Sequence, residues 1–339
     1  MRRRGVTVLL GALITALLSI GVLAAPVPYV VLGPGPTVDT LGKEKGKEVI
    51  QVSGTPTSTS QGQLRLTTVG VQPDVKLLAA IAGWFDDEEA VVPRELVYPP
   101  NESEEQVEQR NAQEFQASQT SAETAALREL GYPLKVVVKK VTADGPSVDV
   151  LRENDIITSV DGAAVTSAQK LTEMIQAKPA GTALSIGYTR GGRPATAKIT
   201  TRAQDGEPPR IGVEIDQDQP HPFELKIDLD EIGGPSAGLM FALGIVDKLD
   251  TDEDLTGGKI IAGTGTIDDE GNVGPIGGIA QKLIGAKEAD ATVFLTPADN
   301  CAEAKNNAQP GLPLVKVGTI KEALTALETL RAGGQPGLC

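Results

Sequence analysis

The sequence is poor in several residue types whose absence narrows what it can do. Aromatic residues make up only 3% of its 339 residues, too few for the stacking platforms on which single-stranded nucleic acids lie. Basic residues number 31 against 45 acidic ones, a formal net charge of −14, and no basic tract follows the extreme N-terminus. The phosphate-neutralising contribution to nucleic-acid binding is therefore missing, and the acidic excess speaks to solubility and names no partner. Two cysteines, Cys301 and Cys339, are too few for a disulfide scaffold or a zinc site. In an exported chain they either pair, tying down the C-terminal tail, or remain one buried and one terminal thiol. The one histidine, His221, lies between Pro220 and Pro222 with no Asp obviously placed to orient it, which disfavours a Ser-His-Asp triad. No Gly-x4-Gly-Lys-[Ser/Thr] loop occurs, so ATP hydrolysis through a phosphate-binding loop is excluded. No cofactor motif is present either.

What the chain does contain is 40% apolar residues, 38 glycines and 23 prolines. That composition favours a turn-rich mixed α/β protein of two domains plus extras. Arg2, Arg3 and Arg4 precede an apolar run from Val6 to Ala25, 20 residues that as a helix span about 30 Å, one bilayer core. The run is read as an uncleaved membrane anchor in preference to a signal peptide, because Val22-Leu23-Ala24-Ala25 matches a cleavage site only in part. The positive-inside rule then keeps the N-terminus cytoplasmic and puts the rest outside, in a single-pass arrangement.

Beyond the anchor, Gln63–Val69 alternates like a strand. A polar stretch with Asn101 and Ser103 as cap residues leads into a helix ending near Leu130-Gly131. Residues 132–203 change character. A strand, Leu134–Val138, is followed by Asp144-Gly145-Pro146-Ser147 and by Leu151–Gly162; a helix from Ala168 to Ile175 and a strand pair, Ala183–Thr189 and Ala195–Thr201, complete the block. The block resembles a bacterial PDZ domain, with Asn154-Asp155 where that family usually has Gly-Asp. The resemblance implies that Gly131, Tyr132, Pro133 and Leu134 form a carboxylate-binding loop, with the following strand offering its edge to a peptide. A PDZ domain that only packs against its neighbour is the alternative.

The chemistry is carried by Ile232-Gly233-Gly234-Pro235-Ser236-Ala237-Gly238 and the apolar run after it. Pro235 suits a first helical turn and the glycines a sharp bend, which puts Ser236 at a helix N-terminus, where exposed amides can stabilise an oxyanion. The bland reading is a serine that caps a core helix. A nucleophilic serine needs a base, and 46 residues later Lys282 borders the buried face of a helix opened by Pro275-Ile276-Gly277-Gly278. To act near neutrality its pKa must fall from ~10.4, at a cost of about 4 kcal/mol in desolvation or local field.

Gly-Pro-Ser-Ala-Gly, then Gly263-Thr264-Gly265-Thr266-Ile267, then Pro275-Ile276-Gly277-Gly278 with Lys282 together resemble the Ser-Lys dyad blocks of Lon peptidases. The resemblance implies Ser236 as nucleophile, Lys282 as general base, and Thr264 and Gly234 in support. Thr266 replaces a residue usually acidic and Gly233 one usually Asp in ATP-dependent Lon. From anchor to Leu330 the chain is similar to PDZ-containing, membrane-linked Lon-like proteases. It implies an α/β (α+β) proteolytic domain acting on protein or peptide substrates of the envelope, without ATP and with a hexameric homo-oligomer as an option. The rival from another class is a catalytically inactive PDZ scaffold of the cell envelope.

A Lon-type domain also needs N-terminal strands and a helix, and here those lie before the PDZ block. The expected organisation is an anchor (1–28), the first part of the protease (29–131), an inserted, mostly β PDZ domain (132–203) and the catalytic part (206–332). Ile211–Val213 and Phe223–Ile227 are expected to resume the protease sheet. The alternative is three domains in series.

Overall fold

The computed structural model describes residues 2–203, 206–229, 233–251 and 254–339; Ile232, at the start of the serine motif, lies outside them. Helix α1 (Arg2–Leu23) leads into a first group of strands: β1 (Tyr29–Asp39), β2 (Ile50–Ser53), β3 (Gln63–Gln72) and β4 (Ala90–Pro93), with α2 (Leu77–Gly83) between the last two. In α1 the side chains of Thr7 and of residues 9–23 are described, all exposed. Among the described residues no helix is long and apolar enough to cross a membrane.

Helix α3 (Glu104–Glu129) follows. Of the two expected cap residues, Ser103 takes the role: its Oγ accepts from Gln106 N while Gln106 Oε1 accepts from Ser103 N, a reciprocal pair that satisfies two of the helix's orphan donors. The far end closes at Leu130, and Gly131 turns the chain with φ +85°, a conformation open to glycine at little cost.

Next come β5 (Lys135–Val141), β6 (Ile156–Val160), α4 (Ala168–Gln176), β7 (Ala183–Arg190), β8 (Arg193–Thr200), β9 (Val213–Asp218) and β10 (Glu224–Ile227). The chain ends with α5 (Gly238–Leu249), β11 (Ile260–Gly263), α6 (Ile279–Glu288), β12 (Val293–Pro297), α7 (Cys301–Asn306), β13 (Leu314–Val317) and α8 (Ile320–Arg331).

Two sheets of unlike origin result. The larger runs β13-β12-β11-β3-β1-β4, and at its centre β3 pairs in parallel with β11, Leu64 opposite Ile261 and Leu66 opposite Gly263. Strands nearly 200 residues apart in sequence thus share one ladder. Its core takes Leu64 and Leu66 from β3, Phe115, Ala122 and Ala126 from α3, and the whole first two turns of α5. Helix α5 is apolar on every face because every face is covered; Phe241 meets Phe115 edge to face at 5.8 Å.

The second sheet, β8-β7-β6-β5-β9, has its own core of Val136, Val138, Leu151, Ile157, Leu171 and Ile186 among others. Two expectations are corrected here. Residues 211–213 do not resume the first sheet: Ile211 packs in the second core and β9 pairs antiparallel with β5, Val213 opposite Val141. Thr142 N donates to Gly212 O (3.0 Å) and Ser147 Oγ to Ile211 O (2.6 Å), contacts that no local pattern announces. Residues 224–227 also miss the large sheet and pair with β2 in a separate ribbon. The second lobe therefore extends past residue 203 to Asp218.

Candidate active site

Ser236 sits in a turn held from two directions. On one side α3 reaches it: Gly234 N donates to Asn111 O (3.0 Å) and Ser118 Oγ to Pro235 O (2.9 Å). On the other, Ser236 O accepts from Gly265 N (2.9 Å) and from Thr264 Oγ1 (3.0 Å). Gly234 bends the chain at φ +84°. The helix itself opens later than its proline suggests: α5 begins at Gly238 with Ala237 as cap residue, so Pro235 and Ser236 precede the first turn. Among the described residues the amides of Ser236 and Ala237 have no hydrogen-bond partner, which leaves both free to meet developing negative charge.

Lys282 lies on α6, whose entry is set by Gly278 at φ +68°; a Cβ there would fall 2.6 Å from Val69 Cγ2. The lysine is 2% exposed. Its Nζ lies 2.7 Å from Ser236 Oγ and donates to Thr264 Oγ1 at 2.9 Å. Burial, uncompensated by any carboxylate among the described residues, pushes its pKa down to about 7. An amine in that state is neutral for a large fraction of the time at neutral pH and can accept a proton from the serine it touches. Lys287, on the same helix, is exposed. Thr264, fully buried, holds the lysine by its hydroxyl oxygen and the serine's carbonyl by its hydroxyl proton.

Ser236 and Lys282 open into a cleft of about 600 Å³, lined also by Thr67, Thr68 and Val69 of β3, by Thr266 and by Pro275–Gly277. Thr266 thus faces the cleft, while at Gly233 a Cβ would fall 3.1 Å from that of Asn111. The wall at Ile276 is clamped by a residue that local pattern does not reveal. Asn300, buried, accepts from Ile276 N and donates to Ile276 O, both at 2.9 Å. Ser118 was equally illegible, since its partner is 117 positions away. The next residue after the clamp, Cys301, is disulfide-bonded to Cys339 (Cα–Cα 5.1 Å). Of the two cysteine readings, pairing is the one realised, and Cys339 N donating to Leu314 O lays the tail along β13.

Residues 131–134, the expected peptide loop, do not line the groove beside α4. Gly131 ends α3, and Tyr132 is tied to the connector, its N donating to Leu127 O and its O accepting from Gln219 Nε2. Pro133 is exposed and Leu134 half-buried. The strand after them has no edge to offer, because β5 is flanked by β6 and β9. The end strand on that side is β9. Between Ile211–Ile215 and the Leu171, Thr172 and Ile175 face of α4 runs a groove of about 470 Å³.

Residues 231–328 match the family model for the Lon protease (S16) C-terminal proteolytic domain, and residues 106–201 that for a PDZ domain. Lon protease 1 of Sorangium cellulosum is 37% identical over 105 residues, 29% of this chain and 12% of that protein. Lon protease of Azospirillum brasilense is 36% identical over 94 residues, 27% of this chain and 11% of that protein. The chain thus spans about a tenth of the length of these curated relatives. Among solved structures, the PDZ domain of an SdrC-like protein from Listeria monocytogenes is 34% identical, with 24% of this chain and 85% of that one covered at a TM-score of 0.23. The class is therefore a Lon-type serine proteolytic domain. This chain joins such a domain to a PDZ domain, a PDZ-containing Lon-like arrangement in a mixed α/β fold.

Proposed function

We propose that the chain is an ATP-independent serine endopeptidase working through a Ser236-Lys282 dyad. The observation that carries the reading is the 2.7 Å contact between Lys282 Nζ and Ser236 Oγ in a site whose burial brings the lysine's pKa to about 7. Neutral Lys282 takes the hydroxyl proton as Ser236 Oγ attacks the scissile carbonyl carbon. The oxyanion forms against the free amides of Ser236 and Ala237. Lys282 then returns the proton to the leaving amine; neutral again, it deprotonates the water that attacks the acyl-enzyme carbonyl and gives that proton to Ser236 Oγ as the acid product leaves. Thr264 keeps Nζ aimed and the serine turn in place, and Gly234 supplies the bend.

The catalytic domain in this reading is built from chain on both sides of the PDZ lobe, an insertion supported by the β3–β11 pairing and by the grip of α3 on the serine turn. The apolar run Val6–Ala25 within and just after α1 supports a single-pass anchor, with the arginines on the cytoplasmic side and the catalytic lobe outside. The substrates are then exported or envelope proteins and peptides. A PDZ lobe receives or regulates them, its groove lying at β9 and α4; hexameric assembly is the family-derived option.

Ser236→Ala, Lys282→Ala and Lys282→Arg are each expected to abolish cleavage of a fluorogenic peptide with the fold retained, since a guanidinium does not give up its proton near neutrality. Lys282→Arg at wild-type rate would refute the dyad. Wild type silent towards peptide panels and serine-directed phosphonates alike would favour the scaffold reading.

A further inference from the structure

The end of the catalytic lobe that receives α1 carries an exposed apolar surface which neither the cleft nor the PDZ groove uses. Leu78 projects from α2, Trp84 and Phe85 follow it, and Leu96 lies in the short turn after β4. Phe85 is 86% exposed, Leu96 71% and Trp84 57%. Single exposed apolar residues need no explanation, but four grouped at one end of a lobe do.

The platform beneath them is rigid. Val31, Val75 and Ala80 pack into a small core of their own under α2. Gly83 closes the helix so tightly that a Cβ would fall 2.8 Å from Glu89 Oε2 and 3.1 Å from Val91 Cγ2. Trp84 rests edge to face on Tyr29 at 5.9 Å. The side chains are thus presented to the outside by a built support, and a collapsing loop would not hold them there.

Where they sit is set by backbone hydrogen bonds to the segment leaving α1. Leu77 N donates to Ala25 O, Val27 N to Val75 O and Arg94 N to Pro28 O, each at 3.0 Å. The patch therefore begins within a few residues of the end of α1, whose Leu9, Leu13, Leu17, Leu18, Ile20 and Val22 are more than half exposed. On the anchor reading of α1, these exposed apolar side chains face lipid. The surface adjoining its end then meets the headgroup layer, where tryptophan and phenylalanine with leucine are the favoured side chains.

We propose that Leu78, Trp84, Phe85 and Leu96 form a foot seated in the headgroup region of a zwitterionic bilayer, holding the catalytic lobe against the membrane that α1 enters. The inference rests on the anchor reading of α1. The charge beside the foot selects the lipid: Asp86, Asp87 and Glu88, all exposed, follow Phe85 directly, a run that stays in water and is repelled by anionic headgroups. The foot is accordingly shallow.

Trp84 is the sole tryptophan, so its fluorescence reports on the foot alone. The full chain is reconstituted into phosphatidylcholine vesicles carrying bromine at shallow or deep acyl positions. Shallow bromines are expected to remove about half of the emission and deep ones much less. Phe85→Asp, at an exposed site, restores most of it, and anionic lipid weakens the quenching. Emission indifferent to bromine but open to aqueous iodide, in a chain that resists alkaline carbonate extraction, would overturn the foot and leave the anchor standing. Emission shielded from both quenchers would mean protein covers Trp84, a second copy or a partner, and would equally overturn it. Release of the chain by carbonate would overturn anchor and foot together.

Discussion

Lys282 in the catalytic lobe and Asp155 in the PDZ lobe are both buried ionisable groups, at 2% and 0% exposure, and the two lobes treat them in opposite ways. Asp155 is fully paired. Arg190 donates from Nε and Nη2 to its two oxygens at 2.7 Å, and Arg152 N adds a third bond at 2.8 Å. Burial alone would raise its pKa, but these partners outweigh burial and hold it below the usual carboxylate value. Lys282 has only two hydroxyl oxygens, and burial acts on it unopposed. A charge that a fold needs for shape is neutralised where it lies; one left without a counter-ion destabilises the fold, and groups of that kind cluster at functional sites. The contrast separates a structural charge from a reactive one without reference to any motif.

The comparison breaks most visibly if the lysine is made apolar. Unfolded, Lys282 has an ordinary pKa near 10.5, against about 7 in the fold. Between those values the unfolded chain binds more protons, so the lysine's penalty is full below about 7 and fades as pH rises through this window. The difference corresponds to roughly 5 kcal/mol, less about 2 for the two hydrogen bonds lost on substitution. Lys282→Met is expected to stabilise the protein by about 3 kcal/mol at pH 7 while abolishing turnover, and to flatten the rise in stability between neutral and alkaline pH in a denaturant titration. A destabilised Lys282→Met would place the lysine with the structural charges.

Asp155→Ala should do the reverse. It leaves Arg190, about a third exposed, without its partner and Arg152 N without its acceptor, so the second lobe is destabilised. Because the folded pKa is depressed, the stabilisation is present above the unfolded carboxylate pKa and is lost as pH falls through the folded one. In the wild type, limited proteolysis should therefore open the second lobe first under acid; in Asp155→Ala it should open that lobe already at neutral pH, with small-peptide cleavage still within about two-fold of wild type. Loss of peptide cleavage in step with lobe opening would show that the two cores do not unfold separately. The smallest effect belongs to the neighbouring residue. Asn154 has φ +68°, which explains why asparagine can stand in a position where glycine is usual. Asn154→Gly should alter the melting free energy by no more than about 0.5 kcal/mol.

The two lobes also differ in how far they could be read from the chain. Around Ser236 the informative residues are those whose backbone demands are unusual, Gly234 and Gly278 at positive φ, together with residues that touch one another, so short blocks carried most of the site. Asn300 and Ser118 stayed hidden because a clamp on a backbone amide or carbonyl leaves no periodic trace. In the PDZ lobe the strands and α4 were legible from alternation and turn residues. The groove was not, because its edge strand enters the sheet last in chain order and is recruited through Gly212 and Ile211. Residues 211–213, expected in the protease sheet, join the other one, because a lone strand carries no sign of which sheet it will pair with.

The dyad is tested most directly by the rate at which a fluorophosphonate acylates Ser236 in the intact chain, followed by mass spectrometry as a function of pH. That rate depends on the nucleophile and its base and needs no knowledge of the natural substrate. It should rise through a single apparent pKa of about 7, the value burial imposes on Lys282, and lose that dependence in Lys282→Met, where only slow background labelling remains. Labelling that is pH-independent across neutrality, or as fast in Lys282→Met as in wild type, would contradict the assignment of Lys282 as the base.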